Sequence, residues 1–277
     1  MANCYIIAKR EKYAEPFLKA FKEAGFNSEF CKLSELSLIS KPHNTEIDPS
    51  FLEKADAVFI NLGAELFPFV EPLLDELYRR GIYSHMKPNA VYFNYNEALQ
   101  LINLAQHGIP VPNATIVADK EMLNESNTKD LCFPLLVKSF SQGKKIQTAI
   151  IETKEEFVSF VSGIKLNPDL IIAREFTPKN LKEIAVIGEQ FFCIERRIKG
   201  KQLEPIENGQ VVKLSAEEKE LAIKALEASN LEIGTVKIVE GKVTGVKVEL
   251  KYDVFSSAFG EDMRRNVAQF YLERVKR

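Results

Sequence analysis

A surplus of charge of one sign is absent from this 277-residue chain. Its 37 Lys and Arg face 39 Asp and Glu, leaving a formal net charge of -2, so no whole-chain field draws nucleic acid or an anionic membrane. Long apolar runs are absent too, none approaching the roughly 20 residues that span a bilayer. The opening MANCYIIAKR carries its charges after a short apolar run rather than before a long one, and a cytoplasmic protein is expected. Cysteines are few and scattered: Cys4, Cys31, Cys132 and Cys193 show no CxxC spacing. Each lies in or beside an apolar stretch where a reduced thiol packs as a small hydrophobe, which argues against a zinc site or a disulfide framework. His43, His85 and His107 fall far apart, with no serine or cysteine at a fixed spacing, so a hydrolase triad has no support. Internal repeats are missing, and loop-rich composition is confined to about 43–49, 124–130 and 200–209, which read as mobile segments.

What is present is enough apolar residue, 45%, for a full core and two or three small subdomains. CYIIAK, a helical run from Glu11 to Ala24, SEFCKLS, ADAVFINLG and the helical FPFVEPLLDELYRRG alternate strand and helix periods. That alternation predicts a βαβ unit ending near His85. Ala98, Leu99, Leu101, Ile102, Leu104 and Ala105 form the apolar stripe of a helix over 94–107, stopped by Gly108 before IPVPNATIVA. After the polar ADKEMLNESNTKD come a strand, CFPLLVKSF, a turn, SQGKK, and a return strand, IQTAIIE. Thr153 with Glu156 and Ser215 with Glu218 have capping-box spacing and open two helices, the first over 154–161 with Phe157, Phe160 and Val161 facing a core. LIIAREF, IAVIGEQFFCIERRI with its GEQ turn, and the GTVKIV and GVKVEL pair supply antiparallel strands before a final amphipathic helix.

Lys138 closes the apolar run Leu135 to Val137, and a lysine so flanked must reach solvent or meet a fixed negative group, of which phosphate is one. The following Ser141-Gln142-Gly143-Lys144-Lys145 offers backbone N–H groups and two ammoniums to an anion. On these residues alone, a snorkelling Lys138 and an exposed basic turn explain the pattern equally well.

The order of elements resembles the ATP-grasp superfamily, RimK-like carboxylate-amine ligase group: a helix ending in GIPVP, a lysine strand, a basic hairpin, a helix, a strand ending Arg174-Glu175-Phe176, a β-hairpin and a VEL strand. The resemblance covers most of the chain. It implies an α/β (α+β) ATP-grasp fold with an N-terminal βαβ pre-ATP-grasp domain over 1–93, a central subdomain over 94–176 and a C-terminal subdomain over 177–277. It also implies that Lys138 contacts ATP phosphate, that Ser141, Gly143 and Lys144 cover the phosphates, and that Arg174, Glu175, Phe176 and Thr177 line the adenine. Hinge backbone groups would bond the base, and Glu175 or a neighbouring carboxylate would accept from a ribose hydroxyl. Arg197 would contact phosphate or the activated carboxylate; the plainer reading makes it a solvated hairpin edge.

The resemblance fails where the family places metal-binding acids. An acid is expected on the VKIV strand and a Glu-x-Asn pair on VELK, but the residues are Lys237, Glu249 and Lys251. Strand alternation sets Lys247, Glu249 and Lys251 on one face with Lys237 opposite, leaving Glu249 as the single candidate metal ligand. An ammonium about 4 Å from a unit positive charge costs roughly 4 kcal/mol at an effective dielectric near 20, and a dication doubles it, so magnesium bound in the usual manner is disfavoured. The lysines would contact phosphate directly, as cofactor-binding residues, or pair with Glu249 on a wet face. An arginine-rich substrate loop is replaced by KGKQLEPIENGQ, and an expected lysine is Glu97.

Two functions of different class follow. One is an ATP-binding protein that joins a carboxylate, such as an amino acid, to an amine through an acyl phosphate. The other is a degenerate scaffold that binds nucleotide, an anionic metabolite or a protein partner without turnover. A structural subunit that dimerises is the third reading, without a distinctive exposed stripe to carry it.

Overall fold

The computed structural model describes residues 1–61, 67–141, 144–164, 168–199 and 202–276; Gly143 and the side chain of Lys144 lie outside them. The chain runs β1 (Asn3–Ala8), α1 (Glu11–Ala24), β2 (Asn27–Lys32), β3 (Ser37–Lys41), β4 (Asn44–Asp48), β5 (Ala57–Asn61), α2 (Phe67–Arg79), α3 (Ala90–Tyr95) and α4 (Glu97–Gln106). It continues β6 (Ala114–Val117), α5 (Glu125–Thr128), β7 (Leu135–Ser141), β8 (Lys144–Ile151), α6 (Lys154–Ser162), β9 (Leu170–Glu175), β10 (Leu181–Ile187), β11 (Gln190–Arg196), β12 (Ile198–Lys199), β13 (Gln202–Leu203) and β14 (Gln210–Val211). It ends with α7 (Ala216–Ala228), β15 (Ile233–Val239), β16 (Lys242–Lys247), α8 (Tyr252–Phe259) and α9 (Met263–Val275).

Three sheets organise the molecule. The first is parallel, β2-β1-β5, as the N-terminal alternation predicts. The second is antiparallel, β6-β9-β7-β8, and the third is β14-β11-β10-β15-β16. The predicted helix over 94–107 is two helices. Asn96 leaves helical backbone and its side chain caps Leu99 N–H, which interrupts the run where a capping residue competes best. Residues 43–49 read as loop but enter the β3-β4 hairpin, because tertiary pairing overrides a polar composition. Ser215 forms its reciprocal capping box with Glu218. Thr153 caps Glu156 N–H, whereas the Glu156 carboxylate accepts from Glu152 N–H. Cys4, Cys31 and Cys193 are buried as expected, but Cys132 is exposed, lying in the irregular approach to β7.

The first and third sheets share a core. Tyr5, Ile7, Val58 and Leu73 cluster with Ile184, Leu226, Val236 and Val246. On the other side, Phe17, Phe21 and Phe59 pack against Phe255, Val267 and Tyr271. The second sheet has its own core with α6, in which Leu135, Val137, Ile171 and Ala173 meet Phe157. α4 joins the second sheet to the third. Ala98 and Leu101 pack under Ile172, while the buried Gln100 amide donates to Val246 C=O and accepts from Val246 N–H, both at 2.9 Å. The side chain thereby satisfies part of the open edge of β16, as a neighbouring strand would.

Tyr271 ties α9 to the first sheet and to the segment after α2. Its hydroxyl donates to Val58 C=O at 3.3 Å, accepts from His85 N–H at 3.1 Å and shares a 2.6 Å bond with His85 Nδ1. Phe59 stacks on the imidazole at 5.1 Å between ring centres. Burial without a charged partner pushes His85 down to about 3 from 6.5, so the folded ring stays neutral where an unfolded one takes up a proton. Stability contributed by neutral His85 is therefore full above pH 6.5 and falls as pH drops toward 3, by up to about 1.4 kcal/mol per pH unit. Denaturant midpoints between pH 7 and 5 should show this slope, and His85→Gln should remove it; an unchanged slope in the variant contradicts the assignment.

Candidate functional site

A cavity of about 690 Å³ opens between the second and third sheets, with α4 as its back wall. That size suits a small-molecule ligand. The second sheet builds one wall by strand alternation. Leu136 and Lys138 point to the cavity while Leu135 and Val137 enter the core. The register Leu136↔Arg174, Lys138↔Thr148 and Leu136↔Ile150 brings Arg174, Thr148 and Ile150 to the same face. Across the cavity stand Lys237 and Val239 of β15 with Lys242, Thr244, Gly245 and Lys247 of β16. Phe176 and Thr177, leaving β9, line it beside Glu175, and Glu97 and Gln100 come from α4.

Seven charged residues line the cavity, on both of its sides. Lys138, Arg174, Lys237, Lys242 and Lys247 stand against Glu97 and Glu175, a net of +3 from five basic and two acidic residues among the described lining. Glu97 accepts from Lys138 Nζ through both carboxylate oxygens at 2.7 Å, with Arg174 Nη1 3.8 Å away. Arg174 also donates to Thr244 C=O at 2.8 Å, which carries it across to the third sheet. Burial favours protonation of Glu97, but Lys138, Arg174 and Lys247 outweigh it and hold the carboxyl below its usual range. For Lys138, burial lowers the ammonium's pKa, Glu97 opposes this and Arg174 adds to it, with a net downward shift. The two directions agree physically: the anion has several cations, whereas each cation shares one anion.

Glu175 is a clamp as well as a lining residue. It accepts from Asn113 Nδ2 and Cys132 N–H, each at 3.1 Å, and pairs with Lys242 at 3.5 Å. Burial would raise its pKa, but these donors bring it below the usual carboxylate value. The hinge amides are engaged too: Glu175 N–H donates to Asn113 C=O at 2.9 Å and Phe176 N–H to Pro134 C=O at 2.8 Å. Those two donors are spent on the fold, so hinge recognition of a base must come from other groups.

A second charged cluster adjoins the cavity. Glu183, buried on β10, accepts from Arg196 Nη1 at 2.7 Å, and its other oxygen lies 4.0 Å from Lys237 Nζ and 3.9 Å from Lys251 Nζ. Burial lowers the Lys237 pKa; Glu183 opposes the shift, while Arg196, Lys251 and Lys247 reinforce it. Both Lys237 and Lys251 thus turn toward Glu183 rather than Glu249.

The candidate residues separate accordingly. Lys138, Arg174, Glu175, Phe176, Thr177 and Lys237 meet in the cavity. Ser141 pairs with Lys144 at the far end of β7, outside the lining. Arg197 is exposed and lines a separate small cavity with Glu195, Glu204, Asn208 and Gln210. β11 ends at Arg196, which is buried and held by Glu183, and Arg197 lies past the strand's end, so the expected contact with the cavity is not made. β16 ends at Lys247, so Glu249 follows the strand and is exposed, while Lys251 is the N-cap of α8. The expected shared strand face of Lys247, Glu249 and Lys251 does not form. Thr235 Oγ1 donates to Glu249 C=O at 2.8 Å, holding the segment by its backbone.

No sequence motif marks Glu183, Gln100 or Lys242 as a site residue. A clue was available: Glu183 and Gln100 are polar residues at core positions of apolar elements, and such residues need built partners.

Magnesium would require oxygen ligands beside the phosphates. The nearby described carboxylates are taken: Glu97 by Lys138, Glu175 by Asn113 and Cys132, and Glu183 by Arg196. No group of three or more His, Cys, Asp or Glu able to hold a metal occurs among the described residues. The residues therefore do not fit a magnesium site of the expected kind. No helix among the described residues is long and apolar enough to cross a membrane.

Comparison with known proteins gives this geometry a context. Residues 95–275 match the RimK-like ATP-grasp domain. A probable alpha-L-glutamate ligase of Desulfotalea psychrophila is 24% identical over 250 residues, covering 84% of this chain and 52% of that protein; the chain thus spans about half of that relative. The structure of the ATP-grasp ligase PsnB complexed with minimal precursor, Mg and ADP superimposes with a TM-score of 0.70 at 14% identity, covering 99% of this chain and 97% of PsnB. The D-alanine–D-alanine ligase of Bacillus anthracis complexed with ATP gives 0.68 at 15% identity, covering 100% and 98%. Both structural likenesses establish the ATP-grasp fold.

Glu97→Gln removes the negative charge that Lys138 and Arg174 share. Inorganic triphosphate should bind about tenfold more tightly to the variant by calorimetry, while folding stability drops by roughly 1 to 3 kcal/mol as two cations lose their partner. Weaker triphosphate binding would show that the carboxylate assists the anion instead of competing with it.

Proposed function

This chain belongs to the RimK-like ATP-grasp domain family, and from that premise we propose that it binds ATP in the cavity between its second and third sheets and joins a carboxylate to an amine. The observation that carries this reading is the convergence of Lys138, Arg174 and Lys237 on one cavity, beside Phe176 and Thr177.

Lys138 and Arg174 offer charge-assisted donors to phosphate oxygens. Glu175 positions the start of the hinge through Asn113 and Cys132, and Phe176 with Thr177 forms the adenine side. Transfer of the terminal phosphoryl group to a carboxylate oxygen releases ADP and leaves an acyl phosphate. The amine then attacks the acyl carbon, the bond to the phosphate oxygen breaks, inorganic phosphate leaves and the nitrogen loses a proton. Cations fixed before the reaction stabilise charge on the transferring group without reorganising, which is the main protein contribution to such a step. The name of the curated relative makes glutamate the first amino acid to test. The units over 1–93, 94–176 and 177–277 are read as the pre-ATP-grasp, central and C-terminal parts, with α4 of the central part packed against the C-terminal one through Gln100 and Val246.

A second reading is favoured by Glu97 on Lys138 and by Lys237 and Lys251 on Glu183: nucleotide or another polyanion binds without turnover. The two readings separate on ADP release when ATP is supplied with glutamate and peptide carboxylates. Ligation predicts release that depends on both partners, and its absence across amine and carboxylate panels leaves the binding reading. Lys138→Ala should weaken ATP binding at least 100-fold by calorimetry under either one; wild-type affinity in that variant would remove Lys138 from the site.

A further inference from the structure

The carboxylates around the cavity are fewer than the cations they serve. Glu97 engages Lys138 with both oxygens, Glu175 has three donors, and buried Glu183 faces Arg196, Lys237 and Lys251. Resting on the nucleotide reading above, we infer that the cavity takes its polyphosphate as the bare anion, without a divalent cation, and that the Lys237 ammonium supplies the charge a metal would otherwise bring.

Geometry assigns different tasks to the two lysines. Lys237 lines the cavity, whereas Lys251 does not. Both ammoniums approach the same Glu183 oxygen, at 4.0 and 3.9 Å, while the other oxygen is held by Arg196 at 2.7 Å. Arg196 and Lys251 together answer the single charge of Glu183, so Lys237 can turn to a phosphate without leaving a buried carboxylate unpartnered. Lys251 is thus a positioning residue and Lys237 a binding residue.

The charge balance points the same way. A lining of net +3 complements a fully charged triphosphate better than one already partly neutralised by a divalent ion. A cation entering beside Lys237 would meet Arg196, Lys247 and Lys251, which already act against Lys237's own charge, and it would find no cluster of ligating side chains among the described residues. Repulsion by fixed ammoniums and the lack of oxygen ligands therefore act together against a divalent ion.

Calorimetry of the full chain with ATP, once in excess EDTA and once in excess magnesium chloride, tests this. The expected result is affinity at least tenfold higher in EDTA. Lys237→Met should lose tenfold or more of the EDTA affinity, and Lys237→Asp combined with Lys251→Asn should shift the preference toward the magnesium complex. ATP binding that requires magnesium in the wild-type protein overturns the inference and leaves the nucleotide reading standing. Binding in neither condition overturns both. Unchanged EDTA affinity in Lys237→Met, with circular dichroism matching wild type, overturns the role given to Lys237.

Discussion

Five cationic side chains line one cavity with two carboxylates, and the arrangement depends on where those carboxylates stand. An isolated buried ammonium loses hydration that only a close anion restores. Glu97 supplies that anion to Lys138, and through Lys138 and Arg174 it links α4 to the second sheet. Glu183 does the same for Arg196 on the third sheet. The remaining positive charge faces the cavity, so the property that makes the site costly to assemble is also the one that the nucleotide reading rests on.

The site is a joint between two separately packed bodies. The second sheet closes on its own core with α6, while the third shares its core with the N-terminal parallel sheet. α4 spans the junction, with apolar contacts to Ile172 on one side and the Gln100 amide on β16 on the other. A rotation between the sheets would have to break the Arg174 bond to Thr244 C=O or the Glu97 pairing. Interactions that hold the joint and interactions that would hold the ligand therefore use the same side chains.

Family membership and charge arrangement bear on different questions. Membership accounts for the element order, the lysine strand and the hinge, which carry the nucleotide reading. The carboxylate placement concerns how charge in the cavity is balanced, and there this chain departs from the metal ligands that the resemblance implies at Lys237 and Lys251. A fold tolerates such a change because the strands that carry Glu183 and Lys237 are buried along nearly their whole length by apolar residues, so a single polar position does not decide the fold.

Much was legible in the sequence alone. The strand and helix alternation of the first 85 residues, the lysine strand, the two antiparallel hairpins and the capping residues follow from periods of 2 and 3.6 and from local hydrogen bonding. The resemblance carried by the order of those elements grouped Lys138, Arg174 to Thr177 and Lys237, and these residues line one cavity. Local rules could not decide between Arg196 and Arg197, since they do not say that β11 ends at Arg196 and leaves Arg197 beyond it. Nor could they show that β16 stops at Lys247, turning Glu249 to solvent and Lys251 toward Glu183, or that Glu97 would lie against a lysine 41 positions later. Those outcomes are set by register and by the approach of distant segments, and only the assembled tertiary structure determines which charges meet.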